Sequence, residues 1–339
     1  MKRKITAAAL LITMLIMILD TGTMLSAMEE GISLCLRSLI PSIFPFMLLS
    51  AMLTNYLLGA HFPLINILER FLNIPEGFGS IFAIGLLGGY PIGAQCIGVA
   101  VETGSLSPAD GRRMLCCCSN AGPAFLFGFG ISILGRPLLC WYVWLIQFIS
   151  ACIMAHLTPA SAGKYHCDLK SKIQSIPQIV KKSINTMASV CGFVLLFRII
   201  IAFMSKWLMC LLPIELYTLI CGLLELANGC CELINIPSVS LRFILFSSFL
   251  SFGGLCVAMQ TAAVTECAGV DASVYLPAKL TQGCICFILS SICAHFLFPE
   301  ENLFSPVFTL CCIIITVCYR FCYLVKFRKK AGNPGLFVI

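Results

Sequence analysis

The stretch Ile84-Gly85-Leu86-Leu87-Gly88-Gly89-Tyr90-Pro91-Ile92-Gly93-Ala94-Gln95 lies inside an apolar run, 78–101, that is long enough to cross a bilayer. Gly85, Gly88, Gly89, Pro91, Gly93 and Gly98 crowd into that one run. Glycine and proline at such density interrupt a helix. In hydrocarbon, backbone freed from helical pairing survives only where protein or a water-filled cavity covers it. The run therefore predicts a broken or re-entrant segment within a membrane protein.

The rest of the chain agrees. Further apolar runs cover 5–19, 32–53, 114–135, 137–157, 184–205, 207–227, 241–265, 276–298 and 304–325. The sequence is 59% hydrophobic and 11% charged, against roughly 25% charged in soluble domains. The runs are continuous rather than alternating, which excludes barrel strands. An all-α, polytopic, multi-pass protein of the cell membrane follows, with the lipid bilayer as its first partner. The first run opens on Lys2, Arg3 and Lys4, but the Ser26 to Glu30 region makes a poor cleavage site, so it reads as a retained helix.

The net charge of +7 does not point to nucleic acid, because the cations sit at segment ends. Lys164, Lys170, Lys172, Lys181 and Lys182 fall in a central polar loop, and Lys326, Arg328, Lys329 and Lys330 near the end. By the positive-inside rule, both termini and the loop share the cytoplasmic face. Parity then requires one apolar run before the loop to turn back, and 78–101 is the natural choice. The 22 cysteines show no paired C-x-x-C framework and read as helix-packing residues without a metal or other cofactor.

The chain divides into 1–31 (first transmembrane helix and short loop), 32–157 (first repeat half), 158–183 (cytoplasmic basic loop), 184–325 (second repeat half) and 326–339 (basic cytoplasmic tail). The repeat appears at an offset of 165, with Gly88-Gly89 over Gly253-Gly254 and Gln95 over Gln260. At an offset of 147, Ser42 lies over Ser189 and Phe46 over Phe193. Chance similarity between glycine-rich helices is the alternative.

Paired broken segments point to a transporter site, where half-helix ends and freed backbone meet a solute. Exposed helix N-termini favour an anion there. The candidate solute-binding residues are Gly89, Tyr90, Pro91, Gly93 and Gln95, then Asn120 and Gly122, then Glu225 and Asn228, and finally Gly253, Gly254 and Gln260. Glu225 and Asn228, three apart, would share one helix face. Glu225 reads equally as a helix-end carboxylate, and Gln95 and Gln260 equally as interhelical hydrogen-bonding residues. Arg37 and Arg198 can snorkel toward headgroups, and His156 and His295 read as interfacial. No H-E-x-x-H, G-x-S-x-G or Walker motif is present, so the chain reads as a non-enzyme whose transport is passive or uses a coupling ion.

The run Gly89-Tyr90-Pro91-Ile92-Gly93-Ala94, then Gly104-Ser105-Leu106-Ser107-Pro108-Ala109, then Ser119-Asn120-Ala121-Gly122-Pro123-Ala124-Phe125 resembles the sporulation integral membrane protein family YlbJ. The stretches Arg37 to Phe46 and Leu224-Glu225-Leu226-Ala227-Asn228-Gly229 resemble it too. That family falls in the nucleoside-recognition or Gate-domain group, related to concentrative nucleoside transporters. The resemblance implies paired hairpins around a solute site and, in the sporulation branch, passage of dipicolinic acid across a forespore membrane. The chain departs from it at Gln95, where family members often have Lys, and at Ala227, where they have Thr. A membrane scaffold needed for spore envelope assembly is the competing function, with the glycines serving close helix packing.

Overall fold

A computed structural model describes residues 2–57, 63–158, 175–209, 211–266 and 268–301. The expected last span 304–325, the tail 326–339 and the loop cations Lys164, Lys170 and Lys172 lie outside the described residues. Every regular element among the described residues is helical. Five rods are long and apolar enough to cross a membrane: Thr21–Leu53, Pro137–Leu157, Ile176–Leu208, Val239–Glu266 and Ala272–Leu297. Large apolar side chains such as Leu138, Trp141 and Phe296 point outward, as an integral membrane protein requires. Between the rods lie short helices that cannot span, and they decide where the site forms.

Helix α1 (Lys2–Leu19) stops at Asp20, whose carboxylate accepts from the Thr23 N–H at 3.3 Å. Helix α2 (Thr21–Leu34) then runs through a π-helical turn (Cys35–Leu39) into α3 (Ile40–Leu57). Residues 21–31 are therefore helix, not the expected short loop, and the boundary at 32 falls inside a continuous rod. Gly31 permits that rod to lie against Leu195, since a Cβ there would sit 2.7 Å from its side chain.

After α4 (Pro63–Leu72), the run 78–101 is interrupted as expected, into α5 (Gly79–Gly88) and α6 (Ile92–Glu102). Gly89 at φ +86° makes the break, a conformation that glycine adopts freely. Helices of 10 and 11 residues rise only about 15 Å, half the hydrocarbon thickness. They fold back side by side, so a Cβ on Gly85 would lie 3.2 Å from the Gly93 Cα.

The expected through-run 114–135 is not one helix. Helix α7 (Pro108–Leu115) ends before an irregular stretch, and α8 (Pro123–Leu134) restarts at the helix-initiating Pro123. Helix α9 (Pro137–Leu157) follows. Helix α10 (Ile176–Leu208) begins earlier than the expected 184, because Ser175 and Gln178 form a capping box at its start. Lys181 and Lys182 are thus helical residues, not loop residues.

The expected span 207–227 also fails, since α11 (Ile214–Leu224) and α12 (Leu226–Glu232) are separated at Glu225. Helix α13 (Val239–Phe252) and α14 (Gly254–Glu266) are separated at Gly253, and α15 (Tyr275–Leu297) closes the described fold against α13.

Candidate functional site

Four interruptions, at 89–91, 116–122, Glu225 and Gly253-Gly254, meet in the interior. A Cβ on Gly89 would lie 2.8 Å from the Gly122 nitrogen. The Tyr90 hydroxyl donates to the carbonyls of Leu250 (3.1 Å) and Ser251 (3.2 Å), just before the Gly253 break. Gly254 packs on the end of α11, where a Cβ would be 3.2 Å from the Leu224 carbonyl oxygen. The breaks at 88–95 and 253–260 adjoin directly, since a Cβ on Gly253 would lie 3.3 Å from the Tyr90 ring.

Around the meeting point lies a narrow cavity with about 50 Å³ of room for water-sized groups, below the roughly 300–1,000 Å³ usual for small-molecule sites. Gly89 and Tyr90 border it from the first break, Ala121 and Gly122 from the second, and Glu225 to Ala227 from the third. Val190 and Val194 of α10 and Val257 and Gln260 of α14 complete it, with Ser42 and Phe125 at its sides. The lining is mostly apolar with a few polar groups, the chemistry of small-molecule sites, and a ring-bearing solute fits only when the surrounding helices part.

Glu225 is 3% exposed. It is not on one helix face with Asn228, as expected; its extended backbone makes it the cap of α12. One carboxylate oxygen accepts from the Ala227 N–H at 3.0 Å, the other from the Asn228 N–H at 2.6 Å and from Asn228 Nδ2 at 2.7 Å. The Asn228 side-chain oxygen accepts from Arg198 at 3.2 Å, and Arg198 in turn pairs with Glu30. Arg198 therefore does not reach for headgroups alone: it ties α10 to α2 and α12. Glu225 reaches the cavity, whereas Asn228 does not border it.

Asn120 does not border the cavity either. It is fully buried behind it, donating to the Cys117 carbonyl at 2.8 Å and accepting from Gln282 at 2.9 Å and Lys279 at 3.2 Å. The Lys279 ammonium also donates to the Ser119 carbonyl and to Gln282 Oε1, each at 2.6 Å, and lies 5.2 Å from the Tyr90 ring centroid. Gln147 holds the same stretch by donating to the Ala121 carbonyl at 2.7 Å. Sequence reasoning missed Lys279, Gln282 and Gln147. The available signal was an ionisable residue inside the apolar run 276–298, which warrants a functional hypothesis wherever it occurs.

The remaining candidates divide. Pro91 and Gln95 face a neighbouring recess, and Gln95 donates to the Thr186 hydroxyl. Gln260 borders both recess and cavity. Gly93 faces protein, where a Cβ would collide with the Cys118 carbonyl, and Gly253 and Gly254 serve the break itself at φ +80°. Arg37, His156 and His295 lie exposed, away from the cavity.

The chain is 22% identical over 306 residues to the sporulation integral membrane protein YlbJ of Bacillus subtilis strain 168, covering 76% of this chain and 74% of that protein. The match supports the same family at a distant level. No protein-family model and no solved structure matches the chain.

Proposed function

We propose that this distant relative of YlbJ is a permease that moves a small anionic or nucleoside-like solute through the cavity among the four breaks. The observation that carries the reading is the convergence on one void of the break before α6 and of the first turns of α8, α12 and α14, each of which begins at a break. A scaffold has no need to stop several helices halfway through the bilayer around a space. Freed backbone at that depth is costly unless a cavity or protein satisfies it.

The resemblance to the sporulation branch makes dipicolinic acid, a ring dicarboxylate, the first solute to test. Among the described residues the cavity lining itself carries no lysine or arginine, and the buried Lys279 ammonium lies outside it, against the Tyr90 ring, so attraction for a dicarboxylate would come from the half-helix N-termini. A coupling ion, cytoplasmic termini and a forespore membrane belong to the same reading. Purified protein in proteoliposomes should take up radiolabelled dipicolinate, and the solute should raise its melting temperature, because only a ligand of the folded state stabilises by mass action. Neither uptake nor stabilisation with dipicolinate, other dicarboxylates or nucleosides would favour the scaffold.

A further inference from the structure

One face of α10 runs past three voids in turn. Gln178, Lys181, Lys182, Asn185, Thr186 and Ser189 border an open recess of about 420 Å³. Val190 and Val194 border the central cavity, and Arg198, Ile201, Ala202 and Ser205 a third, open void of about 390 Å³. The positions advance by three and four, the repeat of a single helix face. A polar stripe on a membrane helix is expensive against lipid, and here its polar residues border the two outer voids. The first recess also carries Glu102, Gln95 and Gln260, and it shares Val190 and Gln260 with the cavity. Those two side chains, 5% and 4% exposed, are the partition between the two spaces.

The two outer voids differ in charge. At the far end Arg198 is paired with Glu30, and Glu232 adds a second carboxylate. In the first recess two lysines face one carboxylate, and the ion pairs among the described residues (Arg112–Asp271, Arg198–Glu30 and Lys206–Asp20) include neither lysine. A concave site with an excess of cations in its described lining raises the local concentration of anions and their association rate, in a salt-dependent way.

From these placements we infer that the Lys181–Lys182 recess is the loading mouth for an anionic solute, and that Val190 with Gln260 is the gate between mouth and cavity. The Gln95 to Thr186 hydrogen bond braces α6 on α10 beside that gate. The inference rests on the transport reading above and adds to it a route and a charge preference.

The test is dipicolinate uptake by proteoliposomes at low and high salt. Wild type should show uptake that weakens with salt. The double variant Lys181→Gln/Lys182→Gln should raise KM about 3- to 10-fold, leave kcat nearly unchanged and flatten the salt dependence, by loss of steering. Lys181→Arg/Lys182→Arg should restore wild-type behaviour. Val190→Trp should stop uptake, and Val190→Phe should slow it if the larger ring does not fold. No uptake of dipicolinate, another dicarboxylate or a nucleoside by wild type overturns the transport reading itself, and uptake of nucleosides but of no dicarboxylate overturns the anionic loading mouth. Uptake by wild type with unchanged KM and salt dependence in the glutamine variant overturns the loading mouth alone, and full-rate uptake by folded Val190→Trp overturns the gate.

Discussion

Replacing Lys279 by Met tests whether the interrupted stretch 116–122 is held from behind. The methionine keeps most of the apolar stem but removes an ammonium that donates to the Ser119 carbonyl, Gln282 Oε1 and Asn120 Oδ1. Asn120 retains the Gln282 amide as a donor, so two acceptors are left fully orphaned. Each buried orphan costs about 1–3 kcal/mol. Relief from burying the ammonium offsets part of this, leaving a net loss of about 2–4 kcal/mol by the same values. For a chain of 339 residues that corresponds to a melting temperature lower by roughly 3–6 °C. The assay is thermal unfolding of the detergent-purified protein, followed by tryptophan fluorescence, with dipicolinate uptake measured in parallel. Uptake should fall with stability, because Ala121 and Gly122 of the same stretch border the cavity. A variant that melts with wild type would refute the clamp.

Asn120→Ala should lose stability, by about 1–3 kcal/mol, together with function, since its side chain is spent on Cys117, Lys279 and Gln282; loss of uptake at wild-type melting temperature would show a solute contact instead. Glu225→Gln should abolish or strongly reduce uptake while melting only slightly lower, as a weakened cap costs about 0.5–2 kcal/mol, and wild-type uptake would remove Glu225 from the site. Gly93→Ala should sharply reduce the folded yield after detergent extraction, because its Cβ meets the Cys118 backbone, while Gly98→Ala, with nothing nearer than 3.6 Å, should be tolerated. Glu301 caps the start of α13, accepting from Ser238 Oγ at 2.6 Å, and this bond holds its carboxyl below the ordinary 4.5. A depressed carboxyl stabilises above the unfolded value, so the stability gap between wild type and Glu301→Gln should be constant near neutrality and close as pH falls below 4.5; a gap that widens in acid would contradict the cap.

The apolar runs and the glycine-proline crowding were enough to read an all-helical membrane protein with interruptions near 89–91 and 253–254. They are properties of local sequence, and local backbone energetics decide them. The break at Ser119 to Pro123 was legible as a polar interruption beside Gly122-Pro123 and the one at Glu225 only as a polar residue, and the roles of Asn120 and Glu225 were assigned differently because caps and buried networks depend on partners far along the chain. Asn120 meets Lys279 across 159 positions, and no periodicity reports such a meeting. The early start of α10 was written in Ser175, Pro177 and Gln178, but the lysines nearby read more readily as a loop. Of the candidate residues, Gly89, Tyr90, Gly122, Glu225 and Gln260 border the cavity, while Gly93, Asn120 and Asn228 support it from within the protein.

Gly85 and Gly93, on two antiparallel half-helices, both close over the single carbonyl of Cys118. Such a clasp works like a ball in a socket whose walls have no clearance: the hairpin and the 116–122 stretch cannot slide past one another without parting. Any motion that opens the cavity must therefore carry α5, α6 and that stretch as one rigid block. The yielding surface is then the seam between that block and α10, where Val190, Val194 and the Gln95 to Thr186 side-chain hydrogen bond, rather than interlocked backbone, join the two sides.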